Sequence, residues 1–369
     1  PRYRTTLAVN LANLAMLLKE RGDLDGAASL CQTAVENLQA ALQLGGNLPS
    51  DQFQLMQLLT NLGSIISAKD GPAASLPIYE SALEAAAAVQ AAAPSAQMLP
   101  LALAQLHRNY GSGLRAAGRL RDAAAAYETA ARRYDDVVSA APTPPAWLLQ
   151  ESATLECWRA ALCLRLHDAA AAATMKEAFE ARCARLGEGE DGVGRLVRAR
   201  LAAVEAYVDA AMGLLPDDAQ GAADAIPEAE EQLERFRREA AGHATDTALA
   251  EALSEADRII RGARLRAGLC SDERSEAWRV FFDCLAGECV ESIPLPSRVD
   301  LAAGLIMAGK DAESEGVLSS LKKAVAAGVA PQKIVAEGLV TLRECGVPDA
   351  VVARIGAATG VLGKGDAER

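Results

Sequence analysis

A 48-residue period constrains this chain more than any other feature. Leu14, Leu62, Tyr110 and Trp158 fall in one register, and Leu18, Ile66, Leu114 and Leu162 in another. Farther along each copy, Ala27, Ser75, Ala123 and Ala171 align, then Cys31, Tyr79, Tyr127 and Met175, then Ala34, Ala82, Ala130 and Ala178. Within a copy the apolar residues recur at helical spacing, and a fixed period of about 20–50 residues marks an array of stacked units. Runs of β-branched and aromatic residues of strand type are missing, and Ala, the best helix former, is the dominant apolar residue. The reading is all-α: a right-handed α-solenoid of antiparallel helix hairpins, with a more degenerate helical C-terminal half.

Each copy divides into a first helix and a second. Small residues at Ala15, Gly63 and Gly111, and again at Ala27 and Ala34, mark where the two helices cross closely. The turns are "ERGDL", "AKDGP" and "AAGRL", in which Gly22, Gly71 and Gly118 end the first helix. The stretches "GGNLPSD", "AAAPSAQMLP" and "SAAPTPPAW" connect one hairpin to the next. A single hairpin cannot bury its apolar face alone, so stacking supplies the core.

The series Leu11, Leu14, Ala15, Leu18, Gly22, Ala27, Cys31 and Ala34 resembles the tetratricopeptide repeat. So does the series His107, Tyr110, Gly111, Leu114, Gly118, Ala123, Tyr127 and Ala130. The fourth copy departs from the pattern, with Arg159 where a small residue is usual. The period is longer than the family's common one, which implies longer helices, and the first copy is most similar to the long repeats of kinesin light chain. The resemblance covers residues 1–186. A Gly-rich acidic linker is expected at 187–194, degenerate helical hairpins at 195–290, helical repeats or a cap at 297–361 and a frayed tail at 362–369. Within that second half, "LAAGLIMAGKDAESEGVL" echoes one more repeat.

Asn13, Asn61 and Asn109 recur one position before Leu14, Leu62 and Tyr110, although Asn is a mediocre helix former. In a solenoid of helix pairs the first helices line the concave face, and a residue one position before an inward contact projects about 100° away from it. The three amides therefore form a ladder along a groove, offering donors and acceptors to an extended peptide backbone. Kinesin light chain repeats carry an Asn at this position, and the resemblance implies a similar peptide-binding use. The neighbours one turn away are Val9 and Met16, Gln57 and Ser64, and Gln105 and Ser112, with Arg108 and Arg115 beside them. These two arginines make the third repeat slightly basic and suggest a ligand segment with an acidic residue. The dicarboxylate clamp of chaperone-tail binders is mostly missing: Ala12 and Met16 stand at its first-repeat positions, Gln105 and Asn109 at its third-repeat pair.

Charge narrows the partners. Residues 1–186 carry 16 Lys+Arg against 17 Asp+Glu, while 187–369 carry 21 against 32. So acidic a second half repels nucleic acid and anionic membranes. No apolar run approaches the roughly 18 residues of a membrane span. The eight cysteines are scattered, without a CxxC, and are expected as buried free thiols in a reducing intracellular compartment. Cys163 and His167, spaced i, i+4, are two ligands short of a zinc site. "GEGEDGVG" lacks the Lys-Ser/Thr ending of a phosphate loop. Glu231–Arg235 and Glu234–Arg238 read as pairs on a solvated helix face. No catalytic, cofactor or metal constellation emerges. The expectation is a non-catalytic scaffold or adaptor that holds an extended segment of a protein partner, within a multiprotein assembly. The alternatives are an architectural subunit docked through outer helical faces, suggested by "AWRVFFDCLAG", and a regulatory module of an enzyme whose catalytic domain lies outside this chain.

Overall fold

A computed structural model describes residues 2–44, 48–94, 98–141, 143–187, 192–215, 217–241, 247–270, 290, 293 and 295–361. Regular structure among the described residues is helical throughout. The helices are α1 (Arg2–Glu20), α2 (Leu24–Gln43), α3 (Pro49–Asp70), α4 (Leu76–Ala92), α5 (Leu99–Ala116), α6 (Leu120–Ala140), α7 (Ala146–Arg165) and α8 (Ala169–Gly187). They continue as α9 (Gly192–Leu214), α10 (Ala219–Ala240), α11 (Thr247–Cys270), α12 (Leu295–Met307), α13 (Asp311–Ala326), α14 (Val329–Glu344) and α15 (Asp349–Thr359). A 3-10 turn, Pro72–Ser75, precedes α4. The chain divides into two compact units, Pro1–Leu162 with Met175–Arg185, and Cys163–Thr174 with Leu186–Arg369.

In the first unit, helices pair as α1–α2, α3–α4 and α5–α6, and successive hairpins stack α2 on α3 and α4 on α5. The turns form as their glycines require: Gly22, Gly71 and Gly118 all have positive φ (82°, 95° and 75°), a conformation open to Gly at little cost. Asp23 then caps α2, its carboxylate accepting from the Gly26 amide at 2.9 Å.

The close crossings sit where the small residues are. A Cβ placed on Gly63 lies 2.8 Å from Cδ1 and Cζ of Tyr79 and closer still to Cε1. One on Gly111 lies 2.6 Å from Cε1 of Tyr127. In the first hairpin the same site is Ala15, opposed not by a ring but by Cys31, and both are fully buried. Gly with Tyr and Ala with Cys are two ways of filling the same space.

At the position of Ala15, Gly63 and Gly111, α7 carries a charged residue, Arg159. Arg159 donates to Glu156 at 2.8 Å and pairs also with Glu128 of α6. Arg182 pairs with Glu156 (3.2 Å) and Asp135, and donates to Ser152 at 2.6 Å. Burial pushes the Glu156 carboxyl above the usual range, and the two guanidinium groups oppose that.

In the second unit, α9 and α10 form a hairpin on which α11 packs, and α12 to α15 share a separate core around Leu305, Leu321, Leu339 and Ile355. Arg200 of α9 reaches Gln232 (2.7 Å) and Glu239 (2.9 Å) of α10. Arg266 of α11 grips Asp300 of α12 through two contacts of 2.7 and 2.8 Å. The echoed repeat at 301–318 is the α12–α13 hairpin, turned at Gly309 (φ 69°).

Some expectations change. Leu14 does not pack inward as Leu62 does: it is 47% exposed against 5%. His167 has φ 59° and lies beyond the end of α7, so it does not share a helix face with Cys163. Glu231 pairs with Arg235 at 2.7 Å, but Glu234 takes the side chain of Arg237 instead of Arg238. Cys31, Cys157, Cys163 and Cys183 are free thiols, as expected, whereas Cys345 is disulfide-bonded. The stretch "AWRVFFDCLAG", within the helical hairpins expected at 195–290, lies outside the described residues, as do 188–191 of the expected linker and the tail at 362–369.

Candidate functional site

A concave site of the first unit is a cavity of about 220 Å³ on the faces of α1, α3 and α5. It forms because each of those helices turns a different residue type to this side than to its hairpin partner. On α1, Val9 and Asn13 are four residues apart and share a face. On α3, Gln54, Gln57 and Asn61 form a stripe at i, i+3 and i+7, and on α5 Ala102 and Gln105 complete the wall.

The polar side chains of that wall are amides and one hydroxyl, Thr60, whose Oγ1 donates back to the Met56 carbonyl at 2.8 Å. Among the described residues, none that lines it is charged. The Gln54 carbonyl oxygen is buried, with no hydrogen-bond donor among the described residues. A ligand N–H placed in the cavity can donate to that oxygen. Sequence reasoning passed over Gln54, although its place three residues before Gln57 on the same stripe was readable.

The sequence-derived set splits in two. Asn13, Gln57, Asn61 and Gln105 line the cavity together. Ser64, Asn109, Arg108, Ser112 and Arg115 do not line it, and each of the five has another neighbour. Ser64 accepts from Lys19 of α1 at 2.6 Å, a clasp between the first two hairpins. Asn109 accepts at Oδ1 from Arg108 at 3.2 Å. Arg108 is neutralised by Glu151 of α7, which also accepts from the Tyr134 hydroxyl at 3.1 Å. The basic third repeat is thus offset from the next hairpin, and an acidic ligand residue finds no free cation at Arg108. Arg115 and Ser112 lie beside the Tyr127 phenol, which burial pushes up in pKa while these two groups pull the other way.

Among the described residues, no group of three or more His, Cys, Asp or Glu could hold a metal ion. No helix among them is long and apolar enough to cross a membrane.

No family model matches the chain, and no curated protein matches it. Several solved structures are similar to it, three of them as follows. A tetratricopeptide repeat protein from Parabacteroides merdae is 14% identical with a TM-score of 0.39, over 96% of this chain and 99% of that one. A circular tandem repeat protein with a novel repeat topology is 15% identical with a TM-score of 0.35, over 97% and 95%. An assembly chaperone of RpL4 is 18% identical with a TM-score of 0.33, over 91% and 97%.

Proposed function

We propose that this chain is a non-catalytic protein-interaction scaffold that holds an extended, uncharged segment of a partner protein in the groove of α1, α3 and α5. The observation that carries this reading is the wall itself. Asn13, Gln54, Gln57, Asn61 and Gln105 come from three successive first helices and supply amide donors and acceptors without a formal charge. Such a wall matches the alternating N–H and C=O groups of an extended backbone, and Val9 and Ala102 offer apolar contact for small side chains. The acidic balance of the chain, net −12, argues against nucleic acid as the partner. The free thiols at Cys31, Cys157, Cys163 and Cys183 support a reducing intracellular compartment, and the bonded Cys345 weighs the other way.

A displayed random-peptide library, selected on the wild-type chain, tests the reading. The selected peptides should lose at least tenfold in affinity for the Gln57→Ala/Asn61→Ala/Gln105→Ala variant at unchanged helicity. N-methylation of the peptide backbone should weaken binding as strongly as side-chain changes do. Peptides that bind both proteins equally would sink the groove reading.

A further inference from the structure

The groove of α1, α3 and α5 carries a cation that its amide wall does not use. On α3 the stripe of Gln54, Gln57 and Asn61 continues at helical spacing to Ser64, about one turn past Asn61 toward Gly71. The Lys19 ammonium, in the last turn of α1, donates to the Ser64 hydroxyl at 2.6 Å. Lys19 is half-buried and makes no ion pair among the described residues. Burial lowers its pKa, and no neighbouring carboxylate raises it again. Lys69, in the last turn of α3, shows the contrast: Asp25 sits 2.7 Å from its ammonium and raises its pKa. Arg108 of α5 is likewise paired, with Glu151 of α7.

An ammonium has three N–H donors, and the Ser64 hydroxyl takes one of them. Withdrawing a charge from water costs free energy unless it is paired and hydrogen-bonded. The chain holds 49 Asp+Glu against 37 Lys+Arg, yet among the described residues no carboxylate stands at this ammonium. A carboxylate brought by a ligand accepts a charge-assisted hydrogen bond there, about twice as strong as a neutral one. A ligand cation is repelled. Phosphate groups, with close to two charges, are met by clusters of Arg, whereas one Lys beside one Ser suits the single charge of a carboxylate.

We infer that Lys19 and Ser64 form a carboxylate subsite at the turn end of the groove, taking an acidic group of the segment held by the amide wall. The inference rests on the groove reading and extends it: the stretch lying on the amides is uncharged, and the carboxylate adjoins that stretch. Its source is an Asp or Glu side chain or the segment's own C-terminus. The test uses the tightest peptide selected on the wild-type chain from the displayed library. It is synthesised with its acidic residue or the matching Asn or Gln, and each form with a free or an amidated C-terminus. Fluorescence anisotropy then gives affinities for the wild-type chain, Lys19→Met, Lys19→Arg and Ser64→Ala, with circular dichroism checking that helicity is equal. Neutralising the recognised carboxylate should weaken binding to the wild-type chain at least tenfold and to Lys19→Met less than twofold. Lys19→Arg should keep most of the sensitivity, and Ser64→Ala should reduce affinity about threefold. A loss on side-chain replacement alone assigns an acidic residue, and a loss on amidation alone assigns the C-terminus. Unchanged affinity when both carboxylates are neutralised, or an equal loss in Lys19→Met, would overturn the subsite. The groove reading would still stand if Gln57→Ala/Asn61→Ala/Gln105→Ala weakened the same peptide. If that triple variant bound it as the wild type does, the groove reading and the subsite would fall together.

Discussion

Gly63→Ala should change sign with its neighbour. In a helix interior Ala is favoured over Gly by about 1 kcal/mol, so an unobstructed substitution stabilises. At this site the new Cβ lies 2.8 Å from two atoms of the Tyr79 ring, which is 2% exposed. A buried ring has nowhere cheap to go, and overpacking of this kind costs about 1–3 kcal/mol. The net effect in the wild-type chain is a loss of up to about 2 kcal/mol. In a Tyr79→Cys background the obstruction is gone, as it is at Ala15 and Cys31 of the first hairpin. Tyr79→Cys alone destabilises by leaving a cavity, but adding Gly63→Ala to it should now recover about 1 kcal/mol. Urea unfolding followed by circular dichroism on the four proteins of the cycle gives the coupling directly. The same ΔΔG for Gly63→Ala in both backgrounds, or a gain with Tyr79 present, would refute the account of the crossing.

Three further outcomes are expected. Burial holds the Asp300 carboxyl up at about 6 against the Arg266 guanidinium, from an ordinary 3.8. The unfolded chain therefore releases that proton first, so the second unit loses on the order of 1–3 kcal/mol as pH rises from about 4 to 6, and Asp300→Asn should flatten that limb of a stability–pH profile. Cys31, its thiol pushed to about 11 by burial, should resist iodoacetamide at pH 8 in the folded chain and react once urea unfolds it, as read by mass spectrometry. Glu156→Ala should cost about 1–3 kcal/mol in urea unfolding, because Arg159 and Arg182 lose a shared buried partner while keeping Glu128 and Asp135.

The hairpins were legible because each is a local object. A period of large and small residues, with Gly at the turn, fixes helix pairing without knowledge of anything distant. The errors lie where distant neighbours decide. Leu14 has the register of Leu62 but no α2 equivalent seated on it, and register alone does not reveal whether a neighbour is there. Arg108 read as a free cation because its carboxylate partner, Glu151, is 43 residues away on the next hairpin. His167 read as one helical turn from Cys163, yet the chain leaves the helix in between at Arg165. Asn13, Gln57, Asn61 and Gln105 line one cavity, since each needed only its own helix face to be placed. Gln54 was missed through attention to the repeating Asn, not through lack of a signal.

The two fillings of the helix crossing also bear on inheritance. Ala15 belongs with Cys31, and Gly63 with Tyr79, so each hairpin's halves are matched to one another across about 16 residues. A recombination joint between hairpins leaves every such match intact. A joint at the turn inside a hairpin can set Ala against Tyr, a clash, or Gly against Cys, a void. The array can therefore lengthen, shorten or shuffle by whole hairpins, while half-hairpin exchanges are penalised before any partner is met.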